Sequence, residues 1–169
     1  MLYLLDASVC ITASNSYYPI DGVPEFWDWL LHQAGIGLVK MPLETYEEII
    51  EGGPDDALVQ WLQLDAVRNV LVLQEQADQG LVAQVVTEGY APDLKDDEIP
   101  QMGRDPFLIS YALVDPADRY VVTAEVSKPS RVRQNRHIPD VCNTLGIQSC
   151  NLFALNKALG FRTGWNSGK

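Results

Sequence analysis

The chain has 169 residues, 47% hydrophobic and 21% charged, with a net charge of −11 from 23 acids and 12 bases. That length predicts one domain over 1–169 with room for a sizeable core. The acidic balance excludes broad electrostatic binding to nucleic acid, which depends on neutralising phosphates. No apolar run reaches the ~20 residues that span a bilayer, and the first apolar stretch lacks the basic flank of a secretory leader. Cys10, Cys142 and Cys150 are odd in number and show no CxxC spacing. Reduced thiols in a cytoplasmic protein are therefore expected, rather than a structural zinc site or a disulfide scaffold.

LYLL (2–5) is a continuous apolar run, as in a strand covered on both faces. It leads into Asp6, and a carboxylate at the end of a buried strand needs a partner, a cation or a wet cleft. VPEFWDWLLHQAG (23–35) reads as a helix, with Pro24 near its start and Gly35 beyond its end. Phe26, Trp27 and Trp29 cannot all face one way on it, so any exposed member is a candidate partner contact. GLVKM (37–41) is a second strand. Pro42 opens a helix through LETYEEII, which Gly52 and Gly53 stop. On its wheel Leu43, Tyr46 and Ile50 share a face, Glu47 borders it, Glu48 turns away and Glu44 is solvated. PDDALVQWLQL (54–64) is a helix with Pro54 and two acids in its first turn, where the dipole favours them. VLVL (70–73) reads as a strand, and a helix follows over roughly 75–89.

APDLKDDEIPQMG (91–103) is polar with two prolines and reads as a loop. RDPFLISYALVD (104–115) is a helix and RYVVTAE (119–125) a strand. KPSRVRQNRH, which holds four of the 12 bases, forms a basic loop. IPDVCNTLG (138–146) is a short helix, IQSC (147–150) a strand, and NLFALNKALG a last helix capped by Asn151. Strands alternating with helices, without repeats or linkers, give an α/β fold with a mostly parallel central sheet.

Acids gather at the ends of these elements. Asp6 and Glu125 each follow a strand, and in open parallel sheets ligands bind beyond the carboxyl ends of strands. Asp105 opens a helix with Leu108, Ile109 and Ala112 at i+3, i+4 and i+7, so it shares the apolar stripe and points towards the sheet. Each acid alone is equally readable as a cap or a dipole-stabilising residue. Together they form a cluster whose repulsion a hard cation, Mg²⁺ or Mn²⁺, would relieve.

In order and spacing, YLLDASVCI, PLETYEEII, RDPFLISYAL and YVVTAE resemble the four acidic motifs of PIN-domain ribonucleases. The likeness covers nearly the whole chain and is strongest to PIN proteins related to VapC-type toxins, with YYPIDGVPEFWDWL and IPDVC as further marks. The resemblance implies a three-layer α/β/α fold and a metal-dependent endoribonuclease. It maps the first acid to Asp6, the third to Asp105 and the second to Glu48, with Glu47 as competitor. The fourth, usually Thr-x-Asp, stands here as Thr123-Ala124-Glu125, and Asp140 is placed to supplement or replace Glu125. Ser8 and Thr123 are candidates to orient these carboxylates by hydrogen bonding; turn and strand roles are equally open to them.

RNA as a substrate must be reconciled with the charge, since withdrawing five acids from −11 still leaves −6. Lys128, Arg131, Arg133 and Arg136, with Arg104 beside Asp105, are the candidate phosphate contacts, although charge runs are commonly just solvated faces. A narrow acidic cleft suits single-stranded or looped RNA, whose bases splay apart. His137 ends the basic loop as a further phosphate contact, and His32 is expected to be structural. By resemblance, the chain is the toxin of a type II toxin–antitoxin pair, with an antitoxin partner and a possible homodimer. The competing reading is a non-catalytic PIN-fold binding protein whose glutamate marks a degenerate metal site. Phosphatase-like chemistry fits less well, because residue 8 of a DxD motif is serine and no GxxxxGK[ST] loop exists.

Overall fold

Side chains on successive residues of a strand point to opposite faces, and LYLL is apolar on both. In the computed structural model, which describes residues 1–166, Leu2–Leu5 forms the central strand β1. Tyr3 and Leu5 enter one apolar cluster and Leu4 the other. β2 (Val39–Lys40), β3 (Arg119–Val122) and β4 (Gln148–Cys150) complete a sheet of order β2-β1-β3-β4 in which every pairing is parallel. Leu5 sits in register with Val122, so β1 and β3 end together.

Along the chain, α1 (Ala7–Thr12), α2 (Pro24–Gly35), α3 (Leu43–Ile50), α4 (Ala57–Leu62) and α5 (Asp65–Leu71) cover the first face. α6 (Gln79–Gln84), α7 (Asp105–Leu113) and α8 (Ile138–Thr144) belong to the second. α9 (Leu152–Ala158) returns to the first. The result is a three-layer α/β/α fold. Among the described residues no helix is long and apolar enough to cross a membrane.

Two helices continue into wider π-type turns, α1 through Ala13–Tyr17 and α6 through Val85–Tyr90. Inserted turns of this kind re-aim the side chains that follow them. At the second, a Cβ on Gly89 would come within 2.6 Å of Val141 Cγ1, so glycine lets this turn pack against α8.

Several boundaries differ from those expected. VLVL is not a strand: Val70 and Leu71 finish α5, and only Val72 forms a lone parallel bridge, to Met41. Val67 and Leu71 are the buried pair, at helical i, i+4 spacing, and a short apolar run conceals that period. The helix expected from residue 75 begins at Gln79, where Asp78 Oδ1 accepts the N–H groups of Gly80 and Leu81. Asp56, rather than Pro54, starts α4, capping Leu58 and Val59 in the same way. Gly35 lies inside α2, and the left-handed residue that ends the turn is Gly37 at φ +81°.

The wheel of α3 is rotated from expectation. Thr45, Tyr46 and Ile49 are buried, whereas Leu43 is exposed. Phe26, Trp27 and Trp29 are all buried despite their spacing, because α2 is enclosed on several sides. Tyr18 stacks on Phe26 at 4.2 Å, Trp61 meets Trp27 edge-on at 4.9 Å, and Trp27 Nε1 donates to the Tyr18 carbonyl. These aromatics are core rather than a partner surface.

Candidate active site

From β1 the chain crosses to β2 on one side, and from β3 to β4 on the other. The crevice between the ends of β1 and β3 is thus the topological switch point, where open α/β sheets bind ligands. Asp6 and Thr123 are the residues that follow these two strands. The Asp6 backbone N–H continues the ladder by donating to the Val122 carbonyl at 2.9 Å.

Asp6 is 7% exposed, and its carboxylate is heavily partnered. Thr123 Oγ1 donates to Asp6 Oδ2 at 2.8 Å, and Ser8 Oγ donates to the same oxygen. Ser8 Oγ in turn accepts the Ala124 N–H, and Thr123 Oγ1 accepts the Glu125 N–H, each at 3.1 Å. The two hydroxyls therefore tie the start of α1 to the end of β3 and orient one carboxylate oxygen.

Asp105 opens α7, whose Leu108, Ile109 and Ala112 are buried as its stripe requires. Among the described residues its carboxyl has no hydrogen-bond donor. Burial, followed by the charges of Asp6, Glu125 and Glu48, pushes it from 3.8 up to about 8. Glu48 is also raised, first by burial and then by Asp6, with Arg104 opposing and Glu51 adding to the rise. Asp105 thus lies in the field of Asp6, Glu125 and Glu48, and Glu48 in that of Asp6.

The competitor Glu47 is engaged elsewhere. Arg104 binds Glu47 at 2.8 Å and Glu51 at 2.5 Å, and donates to the Glu44 carbonyl. Glu44 is half-buried rather than solvated, with Oε1 3.5 Å from the Tyr111 hydroxyl. The rotation of α3 explains both results: Glu48 lies i+3 from buried Thr45, beside the acids, while Glu47 faces Arg104.

Glu125 Oε2 accepts the Ile138 N–H at 2.7 Å and lies 3.9 Å from His137 Nδ1. That nitrogen is 2.9 Å from the Val126 carbonyl, an acceptor only, so it carries the proton. Asp140 points elsewhere: Ser127 Oγ donates to it at 2.5 Å and the Lys128 N–H at 2.8 Å. Slight burial raises its pKa, but those two bonds, with Arg136 and His137, outweigh this and lower it. Asp140 anchors the basic loop, while Glu125 stays with the acid cluster.

Three candidate phosphate contacts hold the fold together. Arg133 binds Asp93 and Glu98, Arg136 binds the Gly89 and Asp140 carbonyls and Thr144, and Arg104 joins α3 to α7. Only Lys128 and Arg131 of the five have side chains without a protein partner among the described residues.

Sequence reasoning missed Tyr90. Its hydroxyl is buried without a hydrogen-bond partner, and its pKa is raised by burial and then by Asp105 and Glu125. Nothing in the sequence separates it from other tyrosines, since a π-type turn places it.

The donor chemistry fits a hard divalent cation: oxygen ligands, mutually repelling, with Asp105 lacking any protein donor. With the present rotamers, however, no three Asp, Glu, His or Cys side chains among the described residues are grouped to hold one ion.

Fold and site define an α/β protein with an all-parallel sheet and a carboxylate cluster at its switch point. The family model that matches residues 3–163 is described as Domain of unknown function (DUF4411), and the chain belongs to that family. No protein with curated annotation matches it.

Proposed function

We propose that this protein is a divalent-metal-dependent ribonuclease that hydrolyses RNA phosphodiester bonds at Asp6, Glu48, Asp105 and Glu125. The observation that carries the reading is the partly buried Asp105 carboxyl, which has no hydrogen-bond donor among the described residues and is pushed up to about 8 with three further acids around it. Such an arrangement is costly without a cation and useful with one. The resemblance to PIN-domain ribonucleases supplies the substrate class.

Mg²⁺ or Mn²⁺, when bound, provides positive charge at the phosphate and a more acidic water. Asp6 and Asp105 would hold it, with Glu48 and Glu125 completing the set. Ser8 and Thr123 keep Asp6 oriented throughout. Lys128 and Arg131 remain for the phosphates of single-stranded RNA. The same resemblance makes the protein the toxin of a type II pair, with an antitoxin partner and a second copy of itself as a further candidate partner, and its free thiols suit a reducing, cytoplasmic setting.

The test is cleavage of structured and single-stranded RNAs with Mg²⁺ or Mn²⁺, beside Asp6→Asn and Asp105→Asn. Both variants are expected to be inactive, and cleavage unchanged in both would refute the assigned site. Growth arrest on expression, relieved by Asp6→Asn, is expected of a toxin. One observation favours a second reading, a non-catalytic PIN-fold binding protein: Glu125 spends an oxygen on the Ile138 N–H. Calorimetry showing no metal binding, with no RNA cleaved, would select it.

A further inference from the structure

Beside Glu125 opens a cavity of about 300 Å³, walled by Val9, Thr12, Tyr17, Leu152 and Phe153, with Ala124, Val126 and Asn151 at its edges. Tyr17 and Phe153 meet edge-on with ring centroids 5.0 Å apart, yet remain 48% and 51% exposed. Val126 beside them is 66% exposed. The π-type turn after α1 delivers Tyr17 to this wall, and the start of α9 delivers Phe153. Asn151 spends its Oδ1 on the Ala154 N–H, which leaves its amide N–H₂ available at the rim.

We propose that this cavity is a nucleobase subsite, holding one unpaired base of an RNA strand whose neighbouring phosphate lies at the acid cluster; the inference rests on the ribonuclease reading. Glu125 belongs to both the cavity wall and the cluster, so a base here is adjacent to the reacting phosphate. Aromatic faces with amide and hydroxyl groups at the edge recognise a splayed base by stacking and hydrogen bonding. The same loop carries charge complementary to the strand: Lys128 and Arg131 follow Val126 closely in sequence, and their side chains have no protein partner among the described residues. A duplex cannot present a base to such a cavity without unpairing it, so the subsite selects single-stranded or looped RNA.

The experiment measures binding of short single-stranded RNA oligonucleotides to the full chain by fluorescence anisotropy, in chelator so that nothing is cleaved. Each oligonucleotide carries an abasic nucleotide at one successive position. One position is expected to weaken binding about tenfold, the scale of a lost base–aromatic stack. Tyr17→Ala, Phe153→Ala and Val126→Glu are expected to remove that dependence. All three residues are substantially exposed, and circular dichroism checks that each variant folds. Absence of any abasic-sensitive position, its persistence in all three variants, or no RNA binding would overturn the subsite, the last leaving the cavity to a protein partner. The enzymatic reading fails separately: base-dependent binding without cleavage in any metal keeps the subsite and removes the nuclease. Cleavage that Asp6→Asn abolishes but the three variants leave unchanged, with binding independent of the base, does the reverse.

Discussion

Replacing Asp105 by asparagine removes the carboxyl that burial and its neighbours hold at about 8, against an ordinary 3.8. A group whose folded pKa is raised binds more protons in the native state across that interval. Its contribution to stability is present below the unfolded value and is lost as pH rises towards the folded one. Between about pH 5 and about pH 8, three pH units at about 1.4 kcal/mol each set a ceiling of about 4 kcal/mol. Redistribution of charge within the cluster reduces this, so a swing of about 2 kcal/mol is expected. In urea titrations with chelator, wild type is therefore expected to lose stability relative to Asp105→Asn over that range, the variant being the more stable at the alkaline end. Excess Mg²⁺ or Mn²⁺ should flatten the wild-type dependence, because a cation that binds only the native state stabilises it and favours the ionised carboxylates. Parallel pH profiles for the two proteins in chelator would refute the claim that Asp105 is crowded by Asp6, Glu125 and Glu48.

Thr123→Val keeps the shape of the β3 end but removes a donor from Asp6, and a 10–100-fold loss of metal affinity is expected by calorimetry. Gly89→Ala drives a Cβ to 2.6 Å from Val141 Cγ1 and should cost about 1–3 kcal/mol in urea unfolding. Arg136→Gln strips donors from the Gly89 and Asp140 carbonyls and should cost about 1–3 kcal/mol by the same measurement, whether or not RNA is present. Lys128→Gln and Arg131→Gln together should leave unfolding unchanged and lower the salt dependence of RNA binding by about one to two charges.

Much of the scaffold was legible because it rests on local pattern. LYLL is a short apolar run that ends at Asp6, RYVV forms the strand that leads through Thr123 towards Glu125, Asn151 caps the last helix as its residue type suggests, and Asp105 shares its stripe with Leu108, Ile109 and Ala112. These features follow from period and capping, which the chain carries within a turn or two of each residue. The α3 wheel and VLVL failed for the complementary reason. A short apolar stretch is compatible with more than one face and more than one period until neighbours cover it. The burial of Thr45 and Ile49, and with it the choice between Glu47 and Glu48, depended on how α3 packs and on where Arg104 reaches.

The basic loop makes the same point for function. By composition its arginines were equivalent. Arg133 and Arg136 found acids and carbonyls 35 or more residues away in the chain, while Lys128 and Arg131 did not. What the sequence determined by itself was the alternation of strands and helices and the acids at their ends, since period, caps and charge are local properties. Only the tertiary structure decided which acids share a field, which cations remain free and where Tyr17, Tyr90 and Phe153 are aimed. Those outcomes depend on distances between segments far apart in the chain, and on burial, which together with the neighbouring acids pushes the Asp105 carboxyl well above the ordinary aspartate range.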